Sequence, residues 1–422
     1  MKGFLMTRII FSLAIVLLTI LPRANSNELT DGWKLNGYVQ TIPFLDGRDF
    51  SNKTYMPIYT SMKLRLGVEK SVGDYLDFNV QFQNSRVFGQ EGAITTNNSH
   101  IFMIQGYLEF KNILNQPLSL KVGRYQSDYG TGRFISVSPW NYVERAFDGF
   151  KLKYDNKDLM LEAFYAKHTS ETKSQNGNAF PTANIFKQTE YNDYDIAGLF
   201  GEKKLSDDMK IQALGYMELN NAKNAEGVKM LERFTGTVSF LKSADPLGVT
   251  VELAYQGGKN QGRNIAAYLT TVKLDYKISD FTLTIANDKH SGTAPNSGEV
   301  NTFNNYPAAK HRFFGLMDYF TTASTNYPLG VDDYYAGFAW KFAQDWNMTL
   351  FGHQFISNKE ALNYGSEIDL TIRYNLDKKI FVEFGNGIFL PDDLMIDMFE
   401  SALGPGHSDP ALVTYLRFTA RL

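Results

Sequence analysis

Lysine and arginine recur at two-residue spacing in this chain, and that spacing is the first chemistry on offer. Lys63 and Arg65 stand two apart, as do Lys151 and Lys153. Lys121, Arg233, Lys273, Lys341, Arg373, Arg417 and Arg421 occupy polar positions in similar alternating runs. In extended backbone, residues two apart share a face. Each pair therefore sets two cations side by side, and such a face attracts carboxylates and phosphates and repels cations. A guanidinium also takes a carboxylate bidentately. The competing reading is that these bases pair with acids of the same parity and merely hold water. Those acids are Glu69, Asp77, Glu109, Glu162, Glu252, Asp275, Asp369 and Glu383. For a single base the two readings balance. The Lys63/Arg65 and Lys151/Lys153 pairs are harder to dismiss, and the small excess of base predicts a mixed face.

Bond-making chemistry has less support. Cysteine is absent, so there is no thiolate nucleophile, no Cys-based zinc site and no disulfide framework. Of the six histidines, His100, His168, His290, His311, His353 and His407, none is framed by G-x-S-x-G or H-E-x-x-H. His353 lies in an alternating run and reads as a packing residue or one that faces the interior. Asp332-Asp333 and Asp392-Asp393 read as solvated turn carboxylates before calcium ligands, because calcium needs about 6–8 oxygens. No catalytic residue, cofactor or metal ligand is assigned.

The elements that position these residues are strands. Met62, Leu64, Leu66 and Val68 alternate with Lys63, Arg65 and Gly67, and Ile368, Leu370 and Ile372 alternate with Asp369, Thr371 and Arg373. One face is apolar and the other polar, as in strands between two environments. The runs are about 9–13 residues long, enough to cross a bilayer at a tilt. Eighteen such runs are countable, near 32–42, 59–70, 75–85, 101–110, 118–125, 147–155, 158–169, 191–203, 208–220, 229–241, 247–258, 264–277, 280–289, 330–343, 345–357, 364–376, 379–390 and 410–422. Their connections alternate short and long. Asn156-Lys157 and Asp377-Lys378 are short, whereas 43–58, 86–100, 126–146, 170–190, 290–329 and 391–409 are long, with 221–228 and 259–263 of moderate length. Every proline after Pro22 falls in a connection or at a run end, as residues without an N–H should. Tyr154, Tyr276, Tyr334, Tyr335, Trp340, Trp346 and Tyr374 sit near run ends, where interface aromatics belong.

Composition agrees. Aromatics are 14% and charged residues 21%, and mean hydropathy is -0.28, which argues against a polytopic helical membrane protein. The formal net charge of -3 gives nucleic-acid binding no support. Lys2, Arg8, the apolar run Ile9–Leu21 and Ala24-Asn25-Ser26 read as a signal peptide, residues 1–26, ahead of a barrel domain at 27–422. Its removal takes away Lys2, Arg8 and Arg23 and no acid, moving the net charge to -6. The predicted fold is all-β: a transmembrane antiparallel β-barrel of about 18 strands, with short periplasmic turns and long extracellular loops.

Residues 121–154 are more specific. They hold Gly123-Arg124 at a strand end, then Tyr129-Gly130, Gly132-Arg133, Trp140-Asn141, Arg145 and Phe147-Asp148-Gly149 opening the next strand. This segment resembles the alginate-export family of outer-membrane β-barrels. His311-Arg312 through Asp318-Tyr319-Phe320 resembles that family's late outer-loop segment. The resemblance implies an 18-stranded barrel in the cell outer membrane and a passive channel for anionic or other hydrophilic saccharides.

The expected pore-lining set is Lys63, Arg65, Lys121, Arg124, Arg133, Arg145, Asp148, Lys151, Lys153, Arg233, Arg373 and Arg417. Loop 126–146 would fold inward as a constriction carrying Arg133 and Arg145. Strict parity from Leu118, Leu120 and Val122 points Arg124 outward, so either it sits at the rim or a bulge resets the register. Arg145 and Asp148 have an alternative reading as an ion pair anchoring the loop. Expected partners are outer-membrane lipid and lipopolysaccharide, a hydrophilic solute or oligosaccharide, and, for an exporter, a periplasmic partner. A barrel-embedded hydrolase and an adhesin or assembly component presenting its outer loops are the alternative functions.

Overall fold

The computed structural model describes residues 32–90, 100–169, 194–322 and 326–422. The expected signal peptide and the whole of loop 170–190 lie outside them. Eighteen strands form one antiparallel sheet. They are β1 (Trp33–Gly47), β2 (Ile58–Val72), β3 (Leu76–Val87), β4 (Ile101–Phe110), β5 (Leu118–Tyr125), β6 (Phe147–Asp155), β7 (Leu159–Thr169), β8 (Tyr194–Lys204) and β9 (Met209–Lys223). The second half comprises β10 (Lys229–Ser243), β11 (Leu247–Asn260), β12 (Arg263–Ile278), β13 (Phe281–His290), β14 (Val331–Ala343), β15 (Trp346–Ile356), β16 (Asn363–Asn375), β17 (Ile380–Pro391) and β18 (Ala411–Arg421). Each pairs with its sequence neighbours, and β1 pairs with β18, so the sheet closes on itself and has no free edge.

Period-two patterning places the two faces. Leu66, Phe82, Leu199, Leu253, Ile285 and Ile368 are exposed on the outside, an apolar surface suited to hydrocarbon. Aromatics gather at the periplasmic ends: Phe281 stacks on Trp340 at 5.0 Å, and Trp346 lies 4.7 Å from Tyr374. Tyr335 departs from the girdle expectation. It points inward and stacks on His353 at 5.0 Å, because its parity is that of buried Asp333.

Several boundaries differ from the sequence reading. β1 continues to Gly47, past Pro43, which therefore lies inside a strand. The β1–β18 ladder is interrupted at Ile42 and Pro43, which accommodates a residue with no N–H to give. Between β11 and β12 the expected moderate loop is a two-residue turn, Gln261-Gly262, with φ of 49° and 83°. Ladder pairing up to Asn260 and Arg263 consumes the rest. The last outer loop holds a helix, α1 (Asp393–Leu403), whose N-cap Asp392 carboxylate accepts from the Asp393 N–H at 2.9 Å.

The interior is largely filled. Tyr125, Phe147, Phe164, Ile196 and Phe200 on the strands pack with Tyr129, Phe134 and Ile135 from the β5–β6 loop. A second cluster joins Phe355, Tyr364 and Phe389 to Phe50, Phe314, Met317 and Phe320 of two outer loops and to Met395 of α1. Chain outside the strands thus supplies much of the core.

Candidate functional site

Two loops cross the lumen. The first, residues 126–146, is a strap joining β5 to β6. Near its far end Glu144 is buried and accepts from Lys63 at 3.0 Å, from Arg65 at 2.9 Å and from the Tyr38 hydroxyl. Burial alone would raise its pKa. The two cations outweigh that and hold it below the ordinary carboxylate value. Near its start, Tyr129 donates to Glu162, Thr131 donates to Glu252 at 2.7 Å, and Arg133 reaches Glu252 at 2.7 Å and Asp288 at 2.9 Å. Burial would lower the Arg133 pKa, but Asp288 and Glu252 outweigh it and keep the guanidinium charged. The strap is thereby fastened to the β1–β2 wall and to the β11–β13 wall.

The second loop, residues 291–330, enters between β13 and β14. Gln256 and Asn304 exchange hydrogen bonds at 2.8 and 2.9 Å. The Leu316 N–H donates to Asp369 at 3.0 Å and the Met317 N–H to Glu367 at 2.9 Å. Buried wall carboxyl groups therefore grip backbone amides, a contact that needs no partner side chain. The two loops also bind each other. The Ser136 N–H donates to the Pro307 carbonyl at 3.0 Å, the Ala309 N–H to the Gly132 carbonyl at 2.9 Å, and Arg312 Nη1 to the Thr131 carbonyl at 2.7 Å. Trp140 and His311 stack at 3.8 Å with their planes 3° apart. Together they form one plug.

Most of the bases singled out by sequence are held by carboxylates in place. Lys63 and Arg65, expected to face solute, are only 4% and 6% exposed and serve Glu144. Lys121 pairs with Glu109 at 3.0 Å, Lys151 with Glu162 at 3.3 Å, and Lys153 with Asp155 at 3.0 Å. Arg233 takes Glu218 bidentately at 2.6 and 2.7 Å, and Arg373 and Arg417 share Glu383 at 2.8 and 2.6 Å. Arg145 is buried between the loops and donates to the Ser136 and Pro307 carbonyls beside the Tyr306 ring, and burial lowers its pKa. It does not anchor on Asp148.

Arg124 and Asp148 are corrections to the pore-lining set. They pair with each other at 2.6 Å, directly opposite in the β5–β6 register. Val122 and Phe150, two residues along on the same face, are 44% and 48% exposed on the outer surface. No bulge intervenes, so strict parity carries both charges outside.

Below the plug the lumen opens. A cavity of about 380 Å³ is lined by Arg312, Arg133, Lys273, Thr271, Phe351 and Asp369, among others. It shares Thr250, Lys273, Thr349 and Phe351 with a larger space of about 780 Å³ near the periplasmic turns. Among the described residues, no group of three or more His, Asp or Glu has a metal-holding arrangement. Asp333 and His353 meet at 3.0 Å, and His353 is held flat between Tyr335 and Phe355.

Sequence reasoning missed the second plug loop, although its length and its run His311–Phe320 mark it as unusual. It also missed the capture of Leu316 and Met317 by Glu367 and Asp369. No sequence signal points to backbone donors.

A closed 18-stranded antiparallel barrel with an apolar outer wall, a charged interior and inward loops defines an outer-membrane channel. Residues 52–402 match the alginate-export family, and the chain belongs to it. Similar folds occur in Pseudomonas aeruginosa OpdL (13% identity, TM-score 0.62, covering 93% of this chain and 99% of that one) and in the Pseudomonas aeruginosa outer membrane protein OpdK (11%, 0.59, 92% and 99%). Acinetobacter baumannii OccAB4 is similar as well (11%, 0.58, 94% and 100%). No curated protein sequence matches the chain.

Proposed function

We propose that this channel passes small hydrophilic solutes, anions and saccharides among them, by passive diffusion past a stitched plug. The observation that carries the reading is the plug itself. Two loops joined to each other and to facing walls leave cavities of a few hundred cubic ångströms, the size of small-solute sites. The paired state of most interior bases supports a modest anion preference. The family supports the saccharide clause, and an export role would add a periplasmic partner. Residues 1–26 are proposed as a cleaved signal peptide, which the N-terminal mass of the membrane-extracted protein tests.

The channel is tested in planar bilayers. Discrete conductance steps are expected, with a reversal potential in a salt gradient on the anion side and partial block by uronate oligomers. A folded barrel that never conducts sinks the channel reading, and strong cation selectivity sinks the anion clause.

A further inference from the structure

We infer that Arg312 is the selectivity-determining charge of this lumen. The inference rests on the channel reading above and assigns its anion preference to one side chain. A base held against a carboxylate at about 3 Å presents a dipole to a passing ion, whose field falls off faster than that of a single charge. Lys121, Lys151 and Arg233 are in that state. Lys63/Arg65 and Arg373/Arg417 each share a single carboxylate and keep a net positive charge, but the first pair is buried under the strap and the second lies toward the periplasmic strand ends.

Arg312 differs in three respects. It is exposed, and it lines the cavity of about 380 Å³ under the plug. Its Nη1 donates to a neutral acceptor, the Thr131 carbonyl at 2.7 Å, and no carboxylate stands within ion-pairing distance among the described residues. Its position is also fixed. The turn Lys310–Arg312 is closed by the Arg312 N–H on the Ala309 carbonyl at 3.1 Å, and the strap passes beside it at Gly132. A Cβ at Gly132, where φ is +82°, would lie 3.2 Å from Arg312 Nη1, so a side chain there would crowd the guanidinium.

The surroundings strengthen its field. Phe313 and Phe351 give the cavity low-dielectric walls, which focus field lines on the open path. Lys273 lies across the cavity but is paired with Asp275 at 3.0 Å. Because this cavity is continuous in lining with the periplasmic space, a solute at the plug meets Arg312 directly. Among the described residues Arg145 also has no carboxylate within ion-pairing distance, yet carbonyls seal it between the loops. Lys341 and Arg421 are exposed at periplasmic strand ends, where salt screens them.

The test is the reversal potential of single channels in a potassium chloride gradient for the parent, Arg312→Gln, Arg312→Lys and, as control, Arg124→Gln on the outer wall. Heat-modifiable gel mobility confirms folding of each. Arg312→Gln is expected to lower the chloride-to-potassium permeability ratio by up to about 25-fold, about five-fold for each ion in opposite directions, the effect of one unit charge near 4 Å in water. Arg312→Lys and Arg124→Gln should keep the parent ratio. A conducting parent whose ratio survives Arg312→Gln overturns this inference alone. A parent that opens no pore overturns the channel reading and this inference with it.

Discussion

Arg65 and Glu144 lie 79 positions apart in the chain and meet at 2.9 Å, Nη2 to Oε2, inside the barrel. A wall base that could hold a passing carboxylate holds the strap's own carboxylate instead. Lys63 serves the same acid at 3.0 Å, so two strand cations and one loop anion make a single clasp.

Removing the anion should therefore open the strap. Glu144→Gln leaves Lys63 and Arg65 buried without a counter-charge, a loss of about 3–5 kcal/mol by the usual cost of breaking a buried pair. Expected are larger conductance, more current noise and a shift toward anions. Traces indistinguishable from the parent would show that the clasp does not hold the strap.

The same clasp sets a pH limit. Glu144 has a folded-state pKa below its ordinary 4.5. Its contribution is therefore complete above about pH 4.5 and is lost as pH falls through the depressed value. Conductance noise should stay flat from pH 7 to 5 and rise only in stronger acid. A rise centred near neutrality would assign gating to a different group.

Arg133 fixes the other end of the strap. Arg133→Met would leave Glu252 and Asp288 buried and unpaired, again at about 3–5 kcal/mol. The plug should loosen, exposing the Lys310–Arg312 segment. Trypsin cleavage there should be faster in the variant than in the parent barrel, and equal rates would refute the anchoring role.

The strands were legible because alternation survives in the sequence wherever a wall separates two environments. Leu64 and Arg65 announce their faces without help from the rest of the chain. Arg124 shows the same rule outranking motif resemblance: its parity pointed outward, and outward it went. The plug was not legible, because its contacts join residues with no local pattern. Arg133 finds Asp288 across 155 positions, and Met317 offers only a backbone amide to Glu367. Pairing of a base is likewise invisible until the acid's position is known, which is why Lys63 and Arg65 read as pore residues. Helix α1 was readable in principle, since Leu394, Met395, Met398 and Phe399 follow a helical spacing after Asp392.

The neck of the second plug loop depends on two glycines that face each other. A Cβ on Gly330, where φ is +76°, would lie 2.4 Å from the His290 carbonyl oxygen and 2.6 Å from the Gly292 nitrogen. A Cβ on Gly292 would lie 1.9 Å from the Leu329 carbonyl oxygen. These are backbone atoms, and neither chain can retreat without breaking the ladder that joins β13 and β14 at His290 and Val331. Gly330→Val adds a β-branched side chain to a left-handed backbone as well. The variant should give less folded, heat-modifiable barrel, and the barrel that does fold should show a widened, noisier pore. Gly227→Ala serves as comparison, since its φ is +77° but no atom lies within 4 Å of its Cβ. If both variants lose folded yield equally, left-handed strain alone explains the effect, and close packing at the neck does not.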